Sequence, residues 1–134
     1  MRLQLVAARR WTIVGMCDNR GNCPVVDFLD RLETDSKADF RQVMTLVRRT
    51  AAVGPPMNTG KSRPLDEEIY ELKTRRGIRI PYFYDEGRVI ICTEALRRPK
   101  KTELVAVIRR AVEQRAQYFR AKLNGELKVT EGEA

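Results

Sequence analysis

Residues 69–93 read IYELKTRRGIRIPYFYDEGRVIICT, and this stretch decides the fold. Three runs, at 69–74, 78–84 and 88–93, are rich in the aliphatic, β-branched and aromatic residues that favour strands. The triplets RRG and DEG separate the runs, and short connections that end in glycine are typical of hairpin turns. The stretch therefore predicts a three-stranded antiparallel meander. Pro81 lacks the N–H that a ladder bond needs, so we expect a bulge or an unpaired edge there.

The residues before the meander predict one strand and a pair of helices. An apolar, β-branched run at 11–17 is typical of a short strand. Apolar residues then recur at helical spacing over 24–33, which begins with a proline suited to the first turn of a helix. Asp35 or Ser36 is suited to cap a second helix, and Gly54 is suited to end it. These two segments predict an antiparallel helical hairpin.

The rest of the chain completes one small domain. We expect a loop over 57–64 and, after the meander, a third helix over 100–122. The order β-α-α-β-β-β-α predicts an α+β fold with the helices packed on one face of a twisted sheet. We expect a domain over 11–122, preceded by a flexible N-terminal extension at 1–10 and followed by a flexible tail at 123–134.

Composition excludes several kinds of protein. The 134 residues contain no histidine, which excludes a Ser-His-Asp triad, a Cys-His pair and an HExxH zinc site. The apolar runs are far shorter than a membrane span. The formal net charge is +8, most of it from arginine, whose planar fork of donors suits phosphate. This charge favours nucleic acid as a ligand, although solubility or an acidic protein partner would explain it as well.

The cysteines favour a reducing compartment. Cys17, Cys23 and Cys92 are an odd number, which is typical of reduced thiols in a cytosolic protein. The apolar stretch near the N-terminus is too short for a signal peptide. We therefore expect a cytoplasmic protein.

Neither a metal site nor a nucleotide site is expected. Three consecutive acids, Asp66, Glu67 and Glu68, point in different directions and are better explained as surface charge. Gly60, Lys61 and Ser62 are like the end of a phosphate-binding loop, but the preceding glycine is misplaced and prolines remove the required N–H groups. We expect no cofactor.

A basic cluster is the main functional feature of the sequence. Alternation along the strands places Lys73 and Arg79 on one face of the meander, the face that a single layer of helices would leave open. More cations follow the last strand and would close this site at its rim: Arg97, Arg98, Lys100 and Lys101. Ordinary solvated charge, paired in part with nearby glutamates, is the alternative explanation.

Several short motifs lie in a recognisable order along residues 11–120. They are WxI from Trp11, PVVxFLxxL from Pro24, IYELK from Ile69, IRIxYF from Ile78 and VII from Val89, then Leu96, the basic cluster, and a last helix with Ala111, Arg115 and Tyr118. In this order they resemble HigB-type, phage-associated toxins of the RelE superfamily.

The resemblance implies a type II toxin that cleaves mRNA in the ribosomal A site without a metal. It also implies a cognate helix-turn-helix antitoxin as partner. Arg79 matches the family arginine that contacts the scissile phosphate, and Lys73 stands where the Glu-Leu-Arg motif normally has arginine. Arg98 matches the basic cluster after the last strand. We expect the RNA 2′-hydroxyl to attack the adjacent phosphate while Arg79 and Arg98 stabilise the developing charge.

Other residues are assigned supporting roles. Arg97, Lys100 and Lys101, together with Arg76, Lys61 and Arg63, are the candidate RNA-binding cations. Glu71 and Tyr82 are the candidates for acid or base catalysis.

The chain departs from the family in two respects that bear on catalysis. It lacks the histidine that many HigB proteins use, and it has no tyrosine between Tyr84 and Tyr118, where RelE uses one. The alternative is therefore a non-catalytic binding protein on the RelE fold, either a degenerate toxin or a gyrase-directed relative. A DNA-binding regulator is disfavoured because no helix-turn-helix pattern is present.

Overall fold

A computed structural model describes residues 1–56 and 68–131, together with the backbone of residues 62–66. The helices are α1 (Pro24–Asp35), α2 (Lys37–Val53) and α3 (Lys101–Leu123). The strands are β1 (Arg2–Ala8), β2 (Thr12–Met16), β3 (Ser62–Asp66), β4 (Ile69–Lys73), β5 (Ile78–Asp85), β6 (Val89–Cys92), β7 (Leu96–Arg97) and β8 (Lys128–Thr130). This is an α+β fold, as the sequence predicted.

Within the described residues, the strands form one mixed sheet with the order β3-β4-β5-β6-β2-β1-β8. The strands β4, β5 and β6 make the predicted antiparallel meander. Strand β2 joins it by a parallel pairing with β6, in which Ile13 lies opposite Ile90. Strand β7 pairs with the first residues of β5, outside this path.

The two ends of the chain correct the sequence prediction. Residues 1–10 are not a flexible extension, because most of them form β1, which pairs antiparallel with β2. The side chain of Leu3 is 2% exposed in a core beneath α3. In the predicted tail, β8 pairs parallel with β1, so this segment extends the sheet. Strand β8 has only three residues and its partner lies far away in sequence, so periodicity alone does not reveal it. Strand β1 pairs with its neighbour β2, and its apolar residues at 3 and 5 were the available signal.

The helices cover both faces of the sheet, which corrects the expectation of helices on one face only. One core lies between the sheet and the α1–α2 hairpin and includes Ile13, Val43, Ile80 and Ile90. The other lies between the sheet and α3 and contains, among others, Leu3, Val14, Phe83, Ile91 and Tyr118. Strand residues alternate between these two cores, so the near-continuous apolar runs of β2 and β6 reflect burial on both sides.

Pro81 lies where β5 changes partner. Ile78 and Arg79 pair with β7, whereas pairing with β6 begins at Tyr82. The proline therefore falls at the break between two partners along the same side of β5, as its missing N–H predicted.

The helical hairpin matches the sequence prediction closely. Ser36 caps α2, its hydroxyl oxygen accepting a 3.2 Å hydrogen bond from the backbone N–H of Asp39. Gly54 ends the helix with φ +93°, a conformation that favours glycine. Of the loop expected at 57–64, residues 57–61 lie outside the described residues. The remaining residues, 62–64, belong to β3 instead.

The cysteines also differ from expectation. A disulfide joins Cys17 to Cys23 across the turn between β2 and α1. Cys92 is a free thiol in the core, and burial raises its pKa to about 12. The odd count therefore reflects one disulfide and one inert buried thiol rather than three reduced thiols.

Candidate functional site

A buried carboxylate gathers three arginines near the beginning of α2. The side chain of Asp39 is fully buried, and it accepts contacts from Arg76, Arg97 and Arg98. Nε of Arg97 lies 2.9 Å from Oδ2, and Nη2 of Arg98 lies 3.2 Å from Oδ2 and 3.4 Å from Oδ1. Nε of Arg76 donates to Oδ1. We call these four residues the Asp39 cluster.

The Asp39 cluster is half open to solvent. The side chains of Arg76, Arg97 and Arg98 are 47%, 38% and 50% exposed, whereas that of Asp39 is 0% exposed. Three guanidinium groups and one carboxylate leave a formal charge of +2 at this surface. A buried anion therefore supports an exposed cationic patch.

Backbone hydrogen bonds help to position Arg76 and Arg98. Arg76 precedes Gly77 in the β4–β5 turn, and the Arg76 N–H donates a 2.9 Å hydrogen bond to Oε1 of Gln42 on α2. Gly77 has φ +90°, and a Cβ there would come within 2.8 Å of Cγ of Arg98. The Arg98 N–H donates to the carbonyl of Gly77 at 2.8 Å. Arg98 itself has φ +47°, which costs a non-glycine residue about 1 kcal/mol or more.

Charge explains the protonation state of Asp39. The hydrogen bond from Arg76, reinforced by the positive charges of Arg98 and Arg97, holds the pKa of Asp39 below its usual value despite the burial that opposes this shift. The carboxylate is therefore ionised at neutral pH and keeps its full attraction for the arginines.

A second group of charged residues lies on the opposite face of the sheet. Lys73 and Arg79 are directly opposite in the β4–β5 register, so their side chains emerge on the same face. Nε of Arg79 lies 3.8 Å from Oε2 of Glu71, and the Arg79 side chain is 18% exposed. The prediction that Lys73 and Arg79 share a face agrees with this register. The prediction that this face is open is wrong, because α3 packs on it.

The predicted site is divided between the two faces. Ile78 is opposite Arg97 in the β5–β7 register and belongs to the core beneath α1 and α2. Arg79, the next residue, emerges on the α3 face. Arg98 turns toward Asp39 on α2, so the structure does not bring Arg79 and Arg98 together on one face as the sequence suggested.

Both candidates for acid or base catalysis are fully buried. Tyr82 lies in the core beneath α1 and α2, and its hydroxyl is 3.2 Å from that of Tyr84. Glu71 is buried beside Arg79. Neither side chain has a surface that RNA could contact in this arrangement.

The remaining predicted cations are dispersed. Lys100 immediately precedes α3 and Lys101 begins it, and both are exposed. Arg63 lies in β3, opposite Glu71 in the register, and its side chain is not described. Lys61 lies outside the described residues.

A cationic cavity of about 470 Å³ lies between α2 and the β4–β5 turn, next to the Asp39 cluster. Sequence reasoning missed it because its two walls are distant in the chain. The residues that line it are Ala38, Arg41, Gln42, Thr45, Leu46, Arg49, Lys73, Thr74 and Arg75. Three of them, Arg41, Arg49 and Arg75, are arginines and none is an acid, so the cavity favours an anionic ligand. Lys73 also borders the cavity, but its side chain emerges on the other face of the sheet.

Asp39 was also missed by sequence reasoning. It follows the Ser36 cap by three residues, where an acid is expected merely to favour the start of a helix. The one available signal was an acid at the beginning of an amphipathic helix, next to the apolar face that begins with Phe40. The distant arginines that meet it gave no local pattern.

The comparisons with known proteins identify a family. The model of the family described as "Phage derived protein Gp49-like (DUF891)" matches residues 27–117, more than half of the chain. No curated protein matches the chain. None of the helices in the described residues is long and apolar enough to cross a membrane. The chain therefore belongs to the Gp49-like family of phage-derived proteins, a RelE-like, toxin-like family often found in toxin–antitoxin systems.

Proposed function

We propose that this protein is the toxin of a type II toxin–antitoxin system and cleaves mRNA on the ribosome as a metal-independent endoribonuclease. The observation that carries the proposal is the Asp39 cluster, a half-exposed group of three arginines built from α2, the β4–β5 turn and β7. Guanidinium groups bind phosphate through paired N–H donors, and RNA presents a phosphate at every nucleotide.

Charge stabilisation is the chemistry that these residues supply. Attack of a 2′-hydroxyl on the adjacent phosphate forms a 2′,3′-cyclic phosphate and breaks the bond from phosphorus to the 5′ oxygen of the next nucleotide, which leaves as a 5′-hydroxyl. The intermediate phosphorane carries additional negative charge on its oxygens. Arg98 is the arginine of the Asp39 cluster with the greatest exposure, and we assign it to this charge. Arg79 and Lys73, on the other face, would position the strand that continues past the site. Because Glu71 and Tyr82 are buried, we assign the proton transfers to neither of them.

A test of this proposal compares three proteins expressed from an inducible promoter. Wild type should arrest growth, and primer extension on translated mRNA should reveal new 5′ ends within reading frames. Arg98→Ala should lose both effects. Arg31→Ala removes the same charge from the exposed side of α1 and should behave as wild type. Equal cleavage by wild type and Arg98→Ala would show that the site is misassigned.

A non-catalytic binding protein on the same fold is the second candidate. The burial of both acid–base candidates, Glu71 and Tyr82, favours it. In that case purified protein would bind RNA or ribosomes, yet primer extension would detect no cuts at any protein concentration. Growth arrest without RNA cleavage would favour a protein target such as gyrase.

We also propose a cognate helix-turn-helix antitoxin as partner, and a cytoplasmic location, which the proposed action on translated mRNA requires and which the disulfide between Cys17 and Cys23 does not itself support. The +8 net charge suits an acidic binding segment, and the cationic cavity beside α2 is a suitable surface for it. Co-expression with the neighbouring open reading frame, followed by co-purification and rescue of growth, tests this partner. Continued growth arrest in the presence of that neighbour would count against it.

A further inference from the structure

Three arginines would not adopt the arrangement of the Asp39 cluster on their own. Like charges repel, and exposed arginine side chains have many rotamers of similar energy. In this structure the three guanidinium groups contact the two oxygens of one carboxylate, which is buried and therefore shielded from water. Asp39 therefore provides both the attraction and the fixed reference point.

The contacts with Asp39 leave most of the donors of each arginine unused by that carboxylate. Arg76 and Arg97 contact it through Nε, and Arg98 contacts it through Nη2. A guanidinium group carries five N–H donors. The three side chains are between 38% and 50% exposed, so a ligand with several oxygen acceptors can approach them from solvent.

The backbone of Arg98 also helps to position its side chain. Its φ is +47°, and its N–H donates a 2.8 Å hydrogen bond to the carbonyl of Gly77. A Cβ at Gly77 would come within 2.8 Å of Cγ of Arg98, so the turn leaves room for this side chain only because residue 77 is glycine.

We propose that Asp39 is a positioning residue, which holds Arg76, Arg97 and Arg98 as a preformed binding site for one phosphate group of the RNA. This inference rests on the proposed function for the identity of the polyanion. Asp39 does not touch the phosphate, and it acts by fixing the arginines before RNA arrives.

The substitution Asp39→Asn distinguishes a positioning role for Asp39 from a purely electrostatic attraction between the protein and RNA. Asp39→Asn raises the formal net charge from +8 to +9. If only total charge matters, this variant binds RNA more tightly than wild type. If Asp39 positions the arginines, the variant binds more weakly, because the arginines must be ordered when the ligand binds.

The matched control is Glu33→Gln. Glu33 lies on α1, is exposed, and its replacement also gives +9. Fluorescence anisotropy with a single-stranded RNA oligonucleotide should give a dissociation constant about tenfold weaker for Asp39→Asn. Glu33→Gln should bind as tightly as wild type or more tightly. Equal or tighter binding by Asp39→Asn would overturn the proposal.

A second variant covers the possibility that Asp39→Asn does not fold. Arg98→Lys keeps the charge at an exposed position but replaces the planar fork with a point charge. It should weaken RNA binding several-fold, whereas Arg109→Lys on the exposed side of α3 should not. Unchanged binding by Arg98→Lys would contradict a site built on guanidinium geometry.

Pyrophosphate separates failure of this inference from failure of the proposed function. It should raise the melting temperature of wild type and have a much smaller effect on Asp39→Asn. If wild type responds to pyrophosphate but does not bind RNA, the phosphate site stands and the RNA-cleaving function fails. If pyrophosphate raises the melting temperature of Asp39→Asn as much as that of wild type, Asp39 does not position the arginines and the inference is wrong.

Discussion

Tyr118 on α3 donates a 2.6 Å hydrogen bond to Oδ2 of Asp85, the last residue of β5. Nζ of Lys122, one turn later, lies 2.8 Å from Oδ1 of the same carboxylate. Burial opposes ionisation of Asp85, but these bonds outweigh it and lower its pKa. Burial and the neighbouring Asp85 raise the pKa of Tyr118, which is therefore a permanent donor. The second half of α3 is thus fastened to one end of the sheet.

Asp85→Asn should destabilise the protein by about 1–2 kcal/mol, because an amide weakens two charge-assisted hydrogen bonds. Urea unfolding monitored by circular dichroism measures this loss. Glu86→Gln changes an exposed neighbouring acid and should alter the free energy of unfolding by less than about 0.5 kcal/mol. Equal effects of the two substitutions would mean that Asp85 does not fasten α3.

Acid should destabilise the fold through Asp39 and Asp85. Both carboxylates have a pKa below 3.8 in the folded protein, so the unfolded chain binds protons first as the pH falls. Their contribution is present above about pH 5 and is lost as the pH falls through their folded-state values. Unfolding free energies at pH 7, 5 and 3 measure the loss. Asp85→Asn should show a shallower decrease between pH 5 and 3, and a slope equal to that of wild type would contradict this assignment.

Leu3→Ala should cost about 2–3 kcal/mol, because the side chain fills the core between β1 and α3. Thermal and urea unfolding measure this change. Val129→Ala on β8 is the control, since that side chain is 57% exposed and should contribute little. If Leu3→Ala were as stable as the control, residues 1–10 would be outside the folded domain after all.

Thiol titration should distinguish the three cysteines. Native protein should react at no thiol, because Cys17 and Cys23 are joined and Cys92 is buried. Unfolding without reductant should expose one thiol, and unfolding with reductant should expose three. Reduction should also lower stability by roughly 2 kcal/mol, the value expected for so short a loop. Two or more reactive thiols in the native protein would contradict the disulfide.

Cations of the cavity beside α2 should contribute to the salt dependence of RNA binding. Arg41→Ala combined with Arg49→Ala removes two of the three arginines that line it. If both contact phosphates, the slope of log affinity against log salt should fall by about 1.4, the value for two contacts to a single strand. Replacing Arg31 and Arg109 with alanine removes the same charge from exposed positions elsewhere. If the Arg41→Ala, Arg49→Ala variant has the same slope as the control variant, the RNA does not bind in this cavity.

Local patterns predicted the local elements of the fold. The turns at RRG and DEG, the Ser36 cap and Gly54 all act within a few residues, so the sequence around each is sufficient. Strand β8 was missed because its partner, β1, lies at the other end of the chain. Strand β1 pairs with its neighbour β2 and was missed because its short apolar run was interpreted as an extension outside the domain. The assumption of one helical layer failed because the apolar side of α3 does not indicate which face of the sheet it covers.

The candidate site was predicted in part for a related reason. Lys73 and Arg79 were placed on one face correctly because the β4–β5 hairpin fixes their register. The summed charge of residues 21–60 is zero, which suggested that the helical hairpin takes no part in binding RNA. A net charge of zero does not show where the individual charges lie. Asp39 is buried and contacts arginines from other parts of the chain, whereas Arg41 and Arg49 line the cavity.

The parallel pairing of β2 with β6 has a consequence for the order in which the molecule forms. A ribosome releases the N-terminal half first, but β2 has no neighbour on that side until β6 has been synthesised. Asp39 emerges early, whereas Arg97 and Arg98 follow β6 in the chain. The nascent polypeptide therefore lacks the assembled cluster until the sheet has closed around its central strands.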